Sequence, residues 1–157
     1  MRTRLTAIVL LCALPALAGE FRPFVRGSWQ QLRASHAGKP IIVHFWGLSC
    51  APCLTELPQW GQLMRQRPDV GLVLIAADPV PEEPRQMTAT LTKAGLASAE
   101  SWTFADRFAE RLRFEIDPDW AGELPFTLCI TRDGKISRVA GTVDFAAIRA
   151  WIDSQRL

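Results

Sequence analysis

Apolar residues in this chain form short continuous runs that alternate with segments of helical spacing. The runs Ile41–Trp46 and Val70–Ala77 are almost wholly apolar, which is typical of strands buried on both faces of a sheet. The segment between them, from Cys50 to about Arg67, repeats apolar residues every three or four positions and therefore predicts a helix. Strands and helices that alternate in this way indicate an α/β domain with a sheet covered on both faces.

Shorter helices are predicted on either side of this strand–helix–strand unit. Ser28 follows a glycine and is placed to cap a short helix before the first strand. After the second strand and a Pro-rich loop, we predict helices over 85–93 and 105–113, with an irregular segment, 95–103, between them. These two helices form a helical insertion before the last strands.

The C-terminal part of the chain predicts a β-hairpin followed by a helix. Asp133-Gly134 is a strong hairpin turn signal, and apolar segments over 126–131 and 136–140 flank it. Asp144 then caps a last helix with one apolar face.

The first residues have the features of a secretory signal peptide. Arg2 and Arg4 precede an apolar stretch, 5–17, and the small-residue sequence Ala-Leu-Ala at its end is typical of a cleavage site. The stretch is well short of the ~20 residues that a membrane-spanning helix needs. We therefore predict that 1–18 is removed on export and that 19–157 forms one domain. An uncleaved anchor is the alternative.

Composition and charge narrow the function without naming it. The 157 residues suffice for one domain with a sizeable core, and 48% hydrophobic with 22% charged residues is ordinary for a globular protein. The net charge is only +2, and the Lys and Arg residues do not cluster in a run. We therefore expect no nucleic-acid partner.

Cys50 and Cys53 form a Cys-x-x-Cys pair at the predicted junction of strand and helix. A helix N-terminus stabilises a thiolate, and the two-residue spacer lets both sulfurs meet in one disulfide ring, so the pair predicts thiol–disulfide exchange. Half of a zinc site is the alternative, but its other ligands would have to come from Cys129, His36 and His44, which are not paired at ligand spacing. Cys129 lies in an apolar run and is expected to be a buried, inert thiol rather than a resolving or metal-binding one.

Further motifs accompany the cysteine pair. They are Phe45-Trp46, Glu56, Pro58, Leu124-Pro125-Phe126-Thr127 and the turn Asp133-Gly134-Lys135-Ile136. With the cysteines, they resemble the exported TlpA/ResA/CcmG (DsbE) group of thiol–disulfide oxidoreductases in the thioredoxin superfamily. The likeness runs from about Ser28 to the C-terminus, and the combination is far more specific than Cys-x-x-Cys alone.

The resemblance implies a thioredoxin fold, with a central mixed sheet flanked by helices. It also implies a periplasmic protein, soluble after signal cleavage, that reduces disulfides in other exported proteins. A membrane electron donor of the DsbD or CcdA type would reduce it again. Apocytochrome c is the best-known substrate class of the group, which points to cytochrome c biogenesis, although no residue here singles it out. No organic cofactor and no metal are expected.

The two cysteines are assigned different roles. Cys50 is predicted to be the exposed nucleophile, which attacks as a thiolate, and Cys53 to resolve the mixed disulfide. Pro52 between them is tolerated because its missing N–H has no partner in the first helical turn. Cys-x-Pro-Cys sequences in the wider fold are usually reducing, so this residue favours a reductase.

Pro125 is the candidate for the cis-proline that the fold places beside the cysteine pair. A cis bond there would expose the backbone of Leu124 as a short strand edge. A substrate segment can pair with such an edge and present its disulfide to Cys50. An ordinary trans proline at the start of a strand is the alternative.

Two side chains are candidates for tuning the protonation of the cysteines. Glu56 lies near the helix face of Cys53, where the resemblance implies a tuning acid that also shapes substrate preference; a solvated Glu that complements the helix dipole is the alternative. His44 occupies the position where thioredoxins carry a buried Asp and many TlpA-like chains an Asn. Strand alternation puts it on the face of Ile42 and Trp46, where a neutral imidazole can accept the proton of Cys53. A core histidine bonded to backbone is the alternative.

Other features bear on the choice between functions. Ser49 stands where the group usually has Trp, so the substrate-facing surface is expected to be less aromatic. Trp102 and Trp120 are expected in the core rather than in a partner groove. An oxidant or isomerase would use the same residues, because direction follows reduction potential. Copper-binding assembly factors of this fold use Cys-x-x-x-Cys plus a downstream His, whereas no His follows His44 here. A non-catalytic binding module is a further rival.

Overall fold

A six-stranded mixed sheet carries five helices in the computed structural model, which describes residues 21–78 and 83–156. In chain order the elements are β1 (Arg22–Phe24), α1 (Ser28–Ser35), β2 (Ile41–Trp46), α2 (Ala51–Gln66), β3 (Gly71–Ala76), α3 (Pro84–Lys93), β4 (Glu100–Phe104), α4 (Ala109–Ile116), β5 (Phe126–Ile130), β6 (Ile136–Ala140) and α5 (Phe145–Ser154). The predicted signal peptide, 1–18, lies outside the described residues. Within the described ranges, no helix has both the length and the hydropathy to cross a membrane.

The strands follow the order β1-β4-β3-β2-β5-β6. The pairs β1–β4, β4–β3 and β3–β2 are parallel, whereas β5 runs antiparallel to both β2 and β6. The register joins Trp46 to Ala76 on β3, and Phe45 to Phe126 on β5. The mixed sheet flanked by helices that the sequence predicted is therefore confirmed.

The helices divide between the two faces of the sheet. Trp29 of α1 and Leu112 of α4 belong to one buried cluster, which we call the aromatic face because Phe45 and its ring neighbours fill it. Leu57 of α2, with residues of α3 and α5, belongs to the other cluster, which also contains Cys53. We call this second side the cysteine face.

Two strands at the edge of the sheet differ from the sequence prediction. The segment 95–103 was expected to be irregular, but β4 forms there, and β1 pairs with it through Pro23 and Thr103. Both strands are short, and Ser101 and Thr103 interrupt any apolar run. Their conformation is set by pairing with distant strands and not by local hydrophobic pattern, so the sequence carried little signal for it.

Two helix starts also differ from the prediction. The N-cap of α1 is Gly27, at φ 83°, and not Ser28, whose hydroxyl instead accepts the Val25 N–H at 3.0 Å. The helix α4 begins later than predicted, because the Asp106 carboxylate accepts the Phe108 N–H at 2.9 Å in a local turn. Both differences arise where a side chain bonds to nearby backbone outside the helix.

Close contacts fix the C-terminal half of α2. A Cβ at Gly61 would lie 1.9 Å from the carbonyl oxygen of Ala94, so only glycine allows the two backbones to approach this closely. The Arg67 guanidinium donates to Asp153 of α5 at 2.8 Å and to Asp69 at 2.9 and 3.0 Å. These bonds hold the pKa of Asp69 well below its usual range and link the end of α2 to α5.

Candidate active site

The candidate site lies at one end of the strands of the sheet, where β2, β3 and β6 finish and β5 begins. Cys50 follows β2, Asp78 follows β3, Pro125 precedes β5, and Val143 follows β6. Because parallel strands end at the same edge and β5 runs the opposite way, the topology gathers these four segments together. Chain positions far apart in sequence therefore meet around the cysteine pair.

Cys50 and Cys53 form a disulfide, with their Cα atoms 5.2 Å apart. Cys50 is the N-cap of α2, and its Sγ accepts the Cys53 N–H at 3.2 Å. Cys50 is 9% exposed and Cys53 is fully buried. Cys50, predicted to be an exposed nucleophile, is thus largely buried in the disulfide form and keeps only a small exposed fraction, because it packs in the same cluster as Cys53. Pro52 occupies the first turn of α2, where its missing N–H leaves no helical bond unmade.

The short loop before Cys50 is held by backbone bonds and by one carboxylate. The Cys50 N–H donates to the carbonyl oxygen of Gly47 at 3.2 Å. The Ser49 N–H donates to Oδ2 of Asp78 at 2.8 Å. Sequence reasoning placed Asp78 only in a loop and gave it no role; its position directly after a parallel strand was the available signal.

The peptide bond between Leu124 and Pro125 is cis, as the sequence predicted. Leu124 is half-buried and contacts both buried clusters, whereas Pro125 is buried. The carbonyl oxygen of Pro125 accepts the Gly141 N–H at 2.9 Å, which ties this segment to the turn after β6. The two residues thus lie at the edge of the sheet that carries the cysteines.

Glu56 is buried, with 3% of its surface exposed, so the alternative of a solvated first-turn Glu is wrong. Its Oε1 accepts the Val143 N–H at 2.6 Å. Burial raises the pKa of this carboxyl above its ordinary value, and the bond from the Val143 N–H opposes part of the rise. Glu56 therefore holds its proton more readily than an exposed Glu.

His44 is fully buried on the cysteine face, the side that strand alternation predicted. Its Nδ1 lies 3.0 Å from Thr127 Oγ1, and its ring centroid is 5.3 Å from that of Trp60. Its partner is thus a side chain and not the backbone. Nε2 lies 4.0 Å from Oε2 of Glu56. Burial lowers the pKa of His44 to about 3, so the imidazole is neutral near neutral pH.

His44 and Glu56 form one buried pair, although the sequence analysis treated them as separate candidates. Nε2 of His44 and Oε2 of Glu56 have no hydrogen-bond partner among the described residues. Thr127 and Val143, which bond the other ends of the two side chains, were missed as site residues. Thr127 was visible as part of the Leu-Pro-Phe-Thr motif, but its pairing with His44 depends on the register between β2 and β5.

The other candidate residues lie in the core. Cys129 is buried in β5, and burial raises the pKa of its thiol to about 12, in keeping with the predicted inert role. Trp120 is buried against Phe45 and Phe126, as expected, and Trp102 is half-buried on β4. The described residues contain no cluster of three or more His, Cys, Asp or Glu side chains placed to bind a metal ion.

Comparison with known proteins places this architecture. No protein-family model matches the chain. Thiol-disulfide oxidoreductase ResA of Geobacillus thermodenitrificans (strain NG80-2) is 24% identical over 127 residues, which cover 76% of this chain and 64% of that protein. The chain thus spans less than two thirds of the length of this curated relative.

Solved structures share the fold. A secreted Mycobacterium tuberculosis disulfide oxidoreductase homologous to E. coli DsbE matches with a TM-score of 0.62 and 22% identity, over 77% of this chain and 85% of that one. StoA from Bacillus subtilis matches with a TM-score of 0.54 and 23% identity, over 73% and 83%. The chain therefore has the thioredoxin fold. It carries a Cys-x-x-Cys pair at the start of α2 and is similar in sequence to ResA.

Proposed function

We propose that this chain is an exported thiol–disulfide oxidoreductase that reduces disulfides in other exported proteins. The observation that carries the proposal is the disulfide-bonded pair at the start of α2, in which Cys50 keeps 9% exposure and Cys53 is fully buried. Relatives that bear the name thiol-disulfide oxidoreductase or disulfide oxidoreductase support it. The apolar stretch 5–17 between a basic start and a small-residue cleavage site supports export to the periplasm.

The cycle begins with the reduced protein. The thiolate of Cys50 attacks one sulfur of the substrate disulfide, a mixed disulfide forms, and the other substrate sulfur leaves as a thiolate that takes a proton from water. Cys53 then loses its proton and attacks Cys50. The Cys50–Cys53 bond forms, the mixed disulfide breaks, and the substrate leaves with both sulfurs reduced. Two electrons pass to the substrate, and the protein is left oxidised.

The start of α2 favours the thiolate that begins this cycle. Partial positive charge and free N–H groups at a helix N-terminus stabilise negative charge on sulfur. The Cys53 N–H, 3.2 Å from Sγ of Cys50 in the disulfide, is already directed at that atom. Pro52 removes one donor from this turn, and its presence favours the reducing direction by resemblance to other Cys-x-Pro-Cys sequences.

The second step needs a proton acceptor inside the protein, because Cys53 is fully buried. Glu56 is our candidate, since it lies one helical turn from Cys53 on the buried side of α2 and is itself buried. His44 is too weak a base to take the proton alone, with its pKa near 3. We assign it to orient and polarise Glu56, whose Oε2 faces its Nε2.

Two surfaces next to the pair support substrate binding. Leu124, half-buried before the cis bond, offers a segment on which an extended substrate can pair. A groove of about 510 Å³ lies between the first turns of α2 and the β6–α5 connection. Its lining includes Pro52, Thr55, Gln59 and Thr142. Glu56 and Asp144 also line it, so a substrate segment in this groove would contact polar and acidic side chains beside the cysteines.

The partners in this proposal follow from chemistry and from resemblance. Because the cycle leaves the cysteine pair oxidised, a reductant must restore it. A membrane electron donor of the DsbD or CcdA type meets that need for a protein outside the cytoplasm. Apocytochrome c is the substrate class that the resemblance adds, and it is one candidate among exported proteins with disulfides.

Mixed-disulfide trapping tests the proposal. In a Cys129→Ala background, Cys53→Ser should leave substrates covalently attached to Cys50, because the resolving step is blocked. The matched variant Cys50→Ser should trap none. Identification of the attached proteins from the exported fraction then names the substrates. An empty trap, with Cys50 alkylated no faster than a free thiol, would refute the mechanism.

The reduction potential tests the direction of the reaction. We expect equilibration with glutathione to place the Cys50–Cys53 couple with reducing members of the fold, near the potential of thioredoxin at about −270 mV. A potential near that of DsbA, at about −120 mV, would replace the reductase by an oxidant.

A further inference from the structure

The loop that presents Cys50 is short and is fixed at both of its ends. At its start, the Ala77 N–H donates to the carbonyl oxygen of Trp46 at 2.9 Å, which extends the β2–β3 pairing. At its end, the Cys50 N–H donates to the carbonyl oxygen of Gly47 at 3.2 Å. Between these points the Ser49 N–H donates to Asp78 Oδ2 at 2.8 Å, a charge-assisted bond of the stronger kind.

Asp78 also lies directly against the backbone of Gly47. A Cβ built on Gly47 would meet Asp78 Oδ2 at 2.7 Å, Cβ at 2.9 Å and Cγ at 3.0 Å. The glycine is thus required by close approach to a side chain and not by an unusual backbone angle. The whole Asp78 side chain occupies the space that any larger residue at position 47 would need.

We propose that Asp78 is a positioning residue for thiol–disulfide exchange, which fixes the loop 47–49 so that Cys50 sits at the start of α2 in attacking geometry. The inference rests on the proposed function. Attack on a disulfide requires the three sulfurs to approach in line, so a loosely held nucleophile loses rate even when its thiolate is fully formed. Asp78 acts through the Ser49 N–H and through its packing on Gly47, and it does not itself touch the substrate.

Four variants separate the hydrogen bond from the charge. Asp78→Asn keeps an oxygen acceptor for the Ser49 N–H and removes the charge, whereas Asp78→Ala removes both. Gly47→Ala keeps Asp78 but pushes it away from the loop. Asp106→Ala is the matched control, because Asp106 likewise accepts a backbone N–H, that of Phe108, in a loop outside the site.

The first measurement is the rate constant for reaction of the reduced proteins with the aromatic disulfide DTNB, as a function of pH, in a Cys129→Ala background. We expect the limiting rate constant at high pH to fall about tenfold in Asp78→Ala and Gly47→Ala. It should stay within about twofold of the parent in Asp78→Asn and in Asp106→Ala. A loss in Asp78→Asn equal to that in Asp78→Ala, or no loss in Asp78→Ala, would overturn the proposal.

The second measurement does not depend on activity. In the oxidised protein, hydrogen exchange of the Ser49 amide should be about tenfold faster in Asp78→Ala than in the parent, and close to the parent in Asp78→Asn. Unchanged exchange in Asp78→Ala would refute the role of the bond. A parent protein that fails to react with disulfides but shows this exchange pattern would refute the proposed function and leave the loop geometry standing, so the two failures are distinguishable.

Discussion

The two faces of the sheet bury different kinds of groups. On the aromatic face, Trp120 lies with its ring centroid 4.7 Å from that of Phe45 and stacks on Phe126 at 4.8 Å. Its indole N–H donates to the carbonyl oxygen of Glu123 at 2.9 Å. On the cysteine face, four buried polar atoms lack a hydrogen-bond partner within the described ranges. They are His44 Nε2, Trp46 Nε1, Glu56 Oε2 and Trp60 Nε1.

The aromatic face mainly stabilises the fold, whereas the cysteine face carries the reactive groups. An unpaired buried polar group costs about 1–3 kcal/mol, so the cysteine face gives up stability that a purely apolar layer would provide. Two of these atoms belong to titratable side chains, His44 and Glu56, and in the proposed function Glu56 accepts the proton of Cys53. The aromatic face, which contains neither cysteine and touches the site only through Leu124, stabilises the sheet that positions them. Variants in the core of the aromatic face should therefore change mainly the unfolding free energy. Variants of the site residues on the cysteine face should change mainly the rate of thiol–disulfide exchange.

The largest effect on stability is expected from Phe45→Ala on the aromatic face. Phe45 is fully buried, and its loss leaves a cavity among aromatic rings. We expect the free energy of unfolding to fall by about 3–5 kcal/mol in denaturant titration. Under conditions where the variant is still folded, its DTNB rate constant should match that of the parent. A tenfold loss of rate in the folded variant would show that the two faces are not separable.

Gly61→Ala is the corresponding test within the cysteine face. The added methyl group must displace the Ala94 backbone, from which it would be separated by 1.9 Å. Overpacking of this kind costs about 1–3 kcal/mol. The exposed neighbour Gln62→Ala is the control and should change the unfolding free energy by no more than about 0.5 kcal/mol. Equal stability of the two variants would mean that α2 and α3 separate easily.

The pH dependence of stability tests the buried pair. His44 has a folded pKa of about 3 against 6.5 for an ordinary His, so the unfolded chain binds more protons between these values. The stability that neutral His44 contributes is therefore present above pH 6.5 and is lost as the pH falls toward 3. The slope from this group is at most about 1.4 kcal/mol per pH unit. Urea titrations of the oxidised protein should show that the unfolding free energy falls less steeply at acid pH in His44→Asn than in the parent.

Glu56 should act in the opposite sense. Its pKa is raised by burial, so its contribution to stability is present below the pKa of an unfolded Glu and is lost as the pH rises through the folded value. Glu56→Gln should remove this loss of stability at rising pH and should leave the loss at acid pH, which is due to His44, unchanged. Parallel curves for the parent and both variants would show that neither group is perturbed by the fold.

The smallest effect is expected from Thr127→Val, which removes the hydroxyl at 3.0 Å from His44 Nδ1 with little change of shape. We expect a loss of about 1 kcal/mol in unfolding free energy. Because the imidazole is then free to adopt its other tautomer, the resolving step at Cys53 should slow more than the attack by Cys50. Single-turnover kinetics that follow both steps would detect this, and equal slowing of both would contradict it.

The central elements of the fold were predictable because their signals are local. The apolar runs of β2 and β3, the spacing of α2 and the Asp-Gly turn each declare an element within a few residues. The strands β1 and β4 have no such pattern; β4 forms by pairing with β3, and β1 by pairing with β4. A strand that forms only by pairing with a distant strand cannot be predicted from its own residues.

The same limit applies to the site. Cys50, Cys53 and Pro125 stand in recognisable motifs, and the register of β2 with β5 carries the last of these to the cysteine edge. Asp78 and Val143 bear no motif, because one acts through a backbone N–H in another loop and the other supplies only its own N–H. Such partners emerge when the ends of separate strands are brought together in space.

The attachment of α2 has a consequence for how the protein changes with its redox state. Near its first turns Glu56 is bonded to the chain just before α5, and at its far end Arg67 is bonded to Asp153 within α5. These two attachments do not involve sulfur, so we expect the axis of α2 to keep its position when the Cys50–Cys53 bond opens. Under the proposed function, a reductant and a substrate would then meet nearly the same surface and would distinguish the two redox forms by the reactivity of one atom.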